Sequence, residues 1–124
     1  MSELPHTDST DRIRMVDIST KPATVRTATA SGRLRTTAAV VALILANDLP
    51  KADVLTTARL AGIGGAKKTS DLVPLCHQVA LSQVTVDFSP EAAAIVITAT
   101  AKATGATGVE MEALAAVTTA GLTL

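Results

Sequence analysis

Two neighbouring runs of alternating apolar and polar residues constrain the fold of this chain more than any other feature. In residues 83–88, Val and Phe alternate with Gln, Thr and Asp, and residues 95–102 repeat the pattern with Ile and Ala. A period of two places the apolar side chains on one face of a β-strand. The Ser-Pro-Glu sequence at 89–91 lies between the runs and is typical of a turn. The sequence therefore predicts a β-hairpin with one buried face.

Shorter patterns predict two further extended segments and one helix. Residues 15–18 and 24–34 are rich in Val, Thr and Ile, which favours extended structure, with Gly32 as a turn or a bulge. In residues 37–47, the apolar positions Val40, Leu43 and Ile44 follow helical spacing. The Leu-Pro pair at 49–50 then ends this helix.

A second helix is predicted to begin at Asp53, whose side chain can cap it, and to continue toward Lys67 and Lys68. Gly64 and Gly65 each weaken it by about 1 kcal/mol relative to Ala, so we expect packing or a ligand to support this turn. Strands with segregated helices indicate an α+β sandwich. Without repeats or a Pro-rich linker, we expect a flexible arm at 1–14 and one domain at 15–124.

The composition limits both the core and the partners. Apolar residues make up 48% of the chain, and Phe88 is its one aromatic residue. The core must use small and branched side chains, and we expect a homo-oligomer in which other subunits cover apolar surface. Eleven basic residues balance eleven acidic ones, so the chain will not draw nucleic acid from a distance.

The cysteine and histidine content predicts neither disulfides nor a metal site. Cys76 is the single cysteine, which excludes an internal disulfide and favours a reducing compartment such as the cytoplasm. Its companions His6 and His77 lack the spacing of metal ligands. The first fifteen residues carry charges and no apolar run, so we expect neither a signal peptide nor a membrane anchor.

Residues 72–77 and 107–114 are predicted to form the two halves of one polar pocket. Cys76 and His77 are neighbours, and in an extended segment they point to opposite faces. They therefore cannot act on each other as nucleophile and base, which argues against a thiol enzyme. A lone His such as His77 is more often a hydrogen-bonded structural residue than a catalyst, but junctions between loops and strands are also where sites accumulate.

Two acidic residues in the second half of the pocket should have different roles. Glu110 and Glu112 lie about 200° apart around a helix and cannot form one carboxylate pair. Thr107 and Glu110 have the spacing of a capping box, in which Glu110 reaches back to a backbone N–H. Glu112 is either an exposed acid that the helix dipole favours or an acceptor for the N–H donors of a base or pterin-like ring.

Residues 62–69 match the phosphate-loop pattern of nucleotide-binding proteins except that Lys67 replaces the second glycine. A phosphate loop needs that glycine and a preceding buried strand, whereas residues 53–61 have helical spacing. A nucleotide-binding module of this kind is one interpretation. Two others are a solvated helix end and a pair of cations, Lys67 and Lys68, placed where the phosphates of a substrate arrive.

Five stretches together resemble the cyclic pyranopterin monophosphate synthase family of molybdenum cofactor biosynthesis. They are residues 15–18, 49–54, 61–63 with 66–69, 72–77 and 107–114, in the same order and spacing as in the family. The resemblance implies an α+β fold with a ferredoxin-like antiparallel sheet and helices on one face. It also implies a hexamer of dimers with active sites between subunits, and a reaction without a metal or an organic cofactor.

The implied reaction converts a cyclised dihydroguanosine triphosphate, a purine-derived triphosphate, to cyclic pyranopterin monophosphate with release of pyrophosphate. By position, Leu75, Cys76 and His77, together with Met111 and Glu112, resemble the substrate-contacting residues of the family. Lys51 resembles a lysine needed for activity. Lys67 and Lys68 are further candidates, because cations stabilise the charge that develops on departing pyrophosphate.

The chain also departs from the family pattern. Members continue the last helix into a segment with a catalytic Asp and a second catalytic Lys, followed by a closing strand. Because the sequence stops at Leu124, we expect a chain shortened within its last helix and lacking that strand. Lys68 stands where Arg is common, which removes a planar fork for bidentate phosphate binding. An alternative is a catalytically inactive paralogue or fragment that still oligomerises, also with a full-length homologue.

Overall fold

The computed structural model describes residues 12–46 and 53–124. Three strands and four helices follow one another along these residues. In chain order they are β1 (Thr24–Arg35), α1 (Ala38–Ala46), α2 (Val54–Lys67), α3 (Thr69–Leu72), β2 (Leu81–Glu91), β3 (Ala94–Gly105) and α4 (Glu110–Thr123). The predicted α+β fold is confirmed, as a three-stranded antiparallel sheet with helices packed against it, consistent with a ferredoxin-like arrangement.

The hairpin is confirmed, but its turn lies at residues 92–93 and not at the predicted 89–91. Strand β2 continues through residues 89–91, and the two alanines at 92–93 make the turn into β3. Glu91 still pairs with Ala94, and its carboxylate accepts two hydrogen bonds from Arg33, at 2.7 and 3.1 Å. Pro90 fits within β2 because this strand lies at an edge of the described sheet, where a missing N–H need not disrupt a second ladder.

Strand β1 shows a second difference from the prediction. Its pairing with β3 runs without interruption from Thr24 to Arg35, so Gly32 is neither a turn nor a bulge. A side chain at this position would collide with Val117 of α4, which explains why glycine fits there. Residues 15–18, also predicted as extended, form no strand and lead into a turn at 19–20.

The two predicted helices are confirmed over most of their length. The Asp53 side chain accepts a hydrogen bond from the Thr56 N–H at 3.1 Å, as expected of a helix cap. In α1, the buried residues are Val41 and Ile44, whereas Val40 and Leu43, predicted to lie on the apolar face, are exposed. The predicted helix end at 49–50 lies outside the described residues, as does most of the predicted arm at 1–14.

The core lies between one face of the sheet and the helices. Alternate residues of β3, from Ile95 to Ala103, are almost fully buried on that face. Ala58 and Ala66 of α2 pack in the same cluster as Ala116 and Ala120 of α4. These small side chains let the helices approach the sheet and each other closely. The division into an arm and a single domain stays a prediction.

Candidate active-site cavity

A cavity of about 390 Å³ lies where three separate segments meet. The first segment is the irregular chain before β1, at residues 16–21. The second follows α3, at residues 73–77, and the third leads into α4, at residues 107–112. The lining residues are Val16, Ile18, Lys21, Val73, Pro74, Leu75, Cys76, His77, Thr107, Gly108, Glu110, Met111 and Glu112. The structure thus brings together the two segments that were predicted to share a pocket.

A tight turn after α3 presents Leu75, Cys76 and His77 to the cavity. Helix α3 ends at Leu72. Val73, which follows it, is extended as expected for a residue before Pro, and its carbonyl accepts a hydrogen bond from the Cys76 N–H at 3.3 Å. Leu75 has a positive φ of 67°, a left-handed conformation that a branched side chain rarely adopts. The turn therefore holds this wall of the cavity in a strained backbone shape.

Glu112 is the buried acidic group of the cavity, with 3% of its surface exposed. The Cys76 thiol donates a long hydrogen bond to Glu112 Oε2 at 3.9 Å, and it also approaches the His77 carbonyl at 3.7 Å. Burial raises the pKa of Glu112, and the nearby Glu110 carboxylate raises it further, while its own backbone N–H and the thiol lower it. Glu112 is thus a poorly hydrated acceptor that faces a ligand-sized space.

The Cys76 thiol is held in its protonated form. Burial raises its pKa, and the charge of Glu112 and the hydrogen bond to that carboxylate raise it further. Because the thiolate is the nucleophilic form of cysteine, this environment suits hydrogen bonding rather than attack on a substrate. The contacts that the thiol makes are with the Glu112 carboxylate and the His77 backbone carbonyl.

The start of α4 differs from the predicted capping box. Val109, not Thr107, occupies the cap position, and no side chain caps the helix. Val109 is fully buried in a cluster with Ala113, so its burial sets where the helix begins. The Glu110 carboxylate instead folds over Gly108, in space that a larger residue would occupy. Glu110 is exposed and Glu112 is buried, so their environments differ as the helical spacing predicted.

The other predicted site residues lie elsewhere. Lys67 ends α2 and Lys68 follows it; both are exposed, and neither lines the cavity. Their roles stay predictions. Lys51 lies outside the described residues. Lys21, Val16 and Ile18 line the cavity but were not predicted as site residues, because an isolated cation in irregular chain has no periodicity or motif to mark it.

The phosphate-loop interpretation does not fit the structure. Residues 62–67 belong to α2, and Lys68 and Thr69 follow it directly. The Thr69 hydroxyl is buried and donates to the Ala66 and Gly65 carbonyls, at 2.8 and 3.3 Å. A phosphate loop needs successive backbone N–H groups that point at the ligand, whereas the N–H groups within this helix are already used.

The part of the chain that the structure describes holds neither a metal-binding cluster nor a membrane-spanning helix. No cluster of three or more His, Cys, Asp or Glu side chains is arranged there to hold a metal ion. None of its helices combines the length and the apolar character needed to span a bilayer.

Comparison with known proteins connects this chain to one family. A family model described as the MoaC family matches residues 15–124. Cyclic pyranopterin monophosphate synthase 2 from Mycobacterium bovis is 59% identical over 122 residues, which cover 98% of this chain and 73% of that protein. The cyclic pyranopterin monophosphate synthase of Corynebacterium efficiens is 52% identical over 124 residues, covering 100% and 80%.

The likeness extends to a relative of lower identity. The cyclic pyranopterin monophosphate synthase of Chloroflexus aggregans is 48% identical over 126 aligned positions, which cover all of this chain and 76% of that protein. The resemblance predicted from the five stretches is thereby confirmed over nearly the whole length. This chain belongs to the MoaC family.

Proposed function

We propose that this chain acts in molybdenum cofactor biosynthesis as a cyclic pyranopterin monophosphate synthase. The substrate would be a cyclised dihydroguanosine triphosphate, and the products cyclic pyranopterin monophosphate and pyrophosphate. One observation carries the proposal: the cavity joins Leu75, Cys76 and His77 to Met111 and Glu112, in a chain that is 48% to 59% identical to proteins named as this synthase. The proposal needs no metal or organic cofactor.

The buried carboxylate supports recognition of a purine-derived ring. Guanine-type rings present adjacent N–H donors, and a carboxylate can accept two such hydrogen bonds at once. Glu112 is desolvated, so these hydrogen bonds face little competition from water. The Cys76 thiol would hold one carboxylate oxygen in place, and Leu75 and Met111 supply apolar surface for the flat ring.

The negative charge of the leaving pyrophosphate gives the three predicted lysines a role in the reaction. A hydroxyl of the substrate attacks the α-phosphorus and forms the cyclic phosphate, while the bond from that phosphorus to the oxygen bridging to the β-phosphate breaks. The hydroxyl proton passes to a base, and negative charge grows on the departing pyrophosphate. Lys51, Lys67 and Lys68 are proposed to stabilise this charge, since fixed cations act most strongly where charge develops.

Self-association belongs to the proposal. Large apolar side chains remain exposed on several helices, among them Leu60 of α2 and Leu114 and Leu122 of α4. We propose that copies of this chain cover part of this surface. A full-length homologue could take the place of some copies, which would then form a mixed oligomer.

Incubation of the purified chain with the cyclised nucleotide tests the proposed reaction. The assay is run with the chain alone and with the chain mixed with a full-length homologue, which would supply the catalytic Asp and second Lys that the family carries beyond this segment. Turnover in either case should release pyrophosphate and the tricyclic pterin in equal amounts. Glu112→Ala should weaken substrate binding by roughly 10-fold or more, because it removes charge-assisted hydrogen bonds from a buried site. Lys51→Ala should lower turnover.

Three outcomes are informative. Binding without turnover would support the alternative of a catalytically inactive paralogue that oligomerises. Indifference of binding to Glu112→Ala would show that the cavity is not the substrate site. If the wild-type chain neither binds nor converts the nucleotide, the proposed function is wrong.

A further inference from the structure

The cavity combines acidic groups with one basic side chain that the sequence did not single out. Glu110 and Glu112 both line it, and an anionic ligand would be repelled by two carboxylates unless a cation offset them. Among the Lys and Arg residues within 12–46 and 53–124, Lys21 is the one that lines the cavity. Its charge is therefore well placed to meet a negatively charged group of the ligand.

The backbone around Lys21 is tied into a defined bend. The Asp17 carboxylate accepts a hydrogen bond from the Ser19 N–H at 2.9 Å, and this hydrogen bond lowers the pKa of Asp17. The Lys21 N–H donates to the Ile18 carbonyl at 3.0 Å and closes a turn. Val16 and Ile18 line the same cavity, so the bend carries three side chains of one segment to it.

Lys21 has no acidic partner of its own in the described part of the chain. The exposed Arg33, by comparison, is paired with Glu91 at 2.7 Å. A lysine at the rim of a cavity, unpaired with described residues and mounted on a fixed bend, keeps its three donors available to a ligand.

We propose that Lys21 binds a phosphate group of the ligand and so selects the phosphorylated form. This inference rests on the proposed function, because it assigns the triphosphate of that substrate to the Lys21 side of the cavity. It adds Lys21 to the predicted phosphate-binding lysines as the one that the described structure places at the cavity. As a flexible point charge, a lysine can follow phosphate oxygens that move as pyrophosphate leaves.

Calorimetric titration with three probes tests the inference on the intact chain. The probes are the cyclised dihydroguanosine triphosphate, the same compound without its phosphates, and inorganic pyrophosphate. Lys21→Ala should weaken binding of the triphosphate and of pyrophosphate by about 10-fold, as expected for loss of one charge-assisted contact, and leave the dephosphorylated compound unaffected. Lys21→Arg should restore most of the loss.

Lys102→Ala is the matched control, since Lys102 is an exposed lysine of β3 that does not line the cavity. It should bind all three probes like the wild type. Equal binding of the triphosphate by Lys21→Ala and the wild type would overturn the inference and leave the proposed function intact. An equal loss for the triphosphate and the dephosphorylated compound would also overturn it. The wild type could also bind pyrophosphate, with a loss in Lys21→Ala, and bind neither purine-derived compound. That result would contradict the proposed function and support the phosphate site at Lys21.

Discussion

Glu112 shows how burial at a single residue connects the site to the stability of the protein. Its carboxylate is almost fully buried, and burial raises its pKa above the usual 4.5. The native state therefore binds a proton more tightly at Glu112 than the unfolded state does. Between the unfolded and the native pKa, stability must fall as the pH rises, and above the native pKa it becomes constant.

Glu112→Gln should remove this loss, because an amide does not titrate. We expect the free energy of unfolding of the variant to become larger relative to that of the wild type as the pH rises from about 4, so that the variant gains relative stability, and the difference then to reach a plateau. Urea unfolding at a series of pH values measures the difference. A difference that does not change with pH would show that Glu112 is hydrated in solution.

Glu91→Gln provides a control with the opposite sign. The hydrogen bond from Arg33 lowers the pKa of Glu91, so the wild type should gain stability over this variant as the pH rises. If both variants changed with pH in the same direction, the effect would come from net charge rather than from the two local environments.

Some residues of the candidate site could be predicted from the sequence, and others could not. The segments containing His77 and Glu112 could be paired because their residue types and spacing are distinctive. The capping role of Glu110 was predicted wrongly, because the Thr-x-x-Glu spacing is local, whereas burial of Val109 depends on distant parts of the chain. Lys21 could not be predicted, since only the folded chain shows where the bend after Asp17 points.

At the scale of elements, close packing of α2 on α4 depends on glycine. An added side-chain carbon at Gly65 would lie within 3 Å of Thr119 on α4, and one at Gly62 would meet the Ala116 carbonyl oxygen at 3.0 Å. Gly64, on another side of the same helix, meets nothing within 4 Å. The packing expected to support these glycines is therefore present at Gly65 and not at Gly64.

Gly64→Ala and Gly65→Ala form a matched pair with opposite expected effects. Gly64→Ala should stabilise the protein by about 0.5 to 1 kcal/mol, because Ala favours the helix and fits without contact. Gly65→Ala should destabilise it by about 1 to 3 kcal/mol, because the added methyl group overpacks the interface with α4. Denaturant unfolding measures both. Equal effects of the two substitutions would contradict the packing seen between these helices.

The hairpin shows why elements were predicted better than their boundaries. Alternation over several residues predicts a strand because burial of one face fixes the register. The turn at 92–93 consists of two alanines and carries no turn signal, whereas the Ser-Pro-Glu sequence that does carry one remains within β2. Residues 89–91 instead pair with residues 94–96 of β3, so the ladder continues past that local signal.

At the scale of the whole molecule, an apolar stripe runs along the outer surface of α4. Met111, Leu114 and Leu122 fall on one side of the helix, with 44%, 47% and 84% of their surfaces exposed. Met111 also lines the cavity, so the stripe begins at the candidate site. A second copy that covered this stripe would lie next to the bound ligand.

Leu114→Glu combined with Leu122→Glu should reduce self-association. Charges on this stripe would lose water if another copy covered them, whereas the exposed positions tolerate Glu in a single chain. Light scattering should give a multiple of the chain mass for the wild type and a smaller mass for the double variant. Val25→Glu, at an exposed position of β1, is the control. A monomeric wild type, or a double variant of unchanged mass, would contradict the expectation.

The left-handed backbone at Leu75 lowers the stability of the protein, while the leucine side chain contributes to the cavity wall. A non-glycine residue in this conformation costs about 1 to 2 kcal/mol, and glycine would remove that cost. Glycine would also remove an apolar side chain from the wall of the cavity, where the proposed substrate would bind. Laboratory evolution under thermal selection alone should therefore favour glycine at this position and lose affinity for the ligand, whereas selection for the proposed synthase activity should keep the leucine.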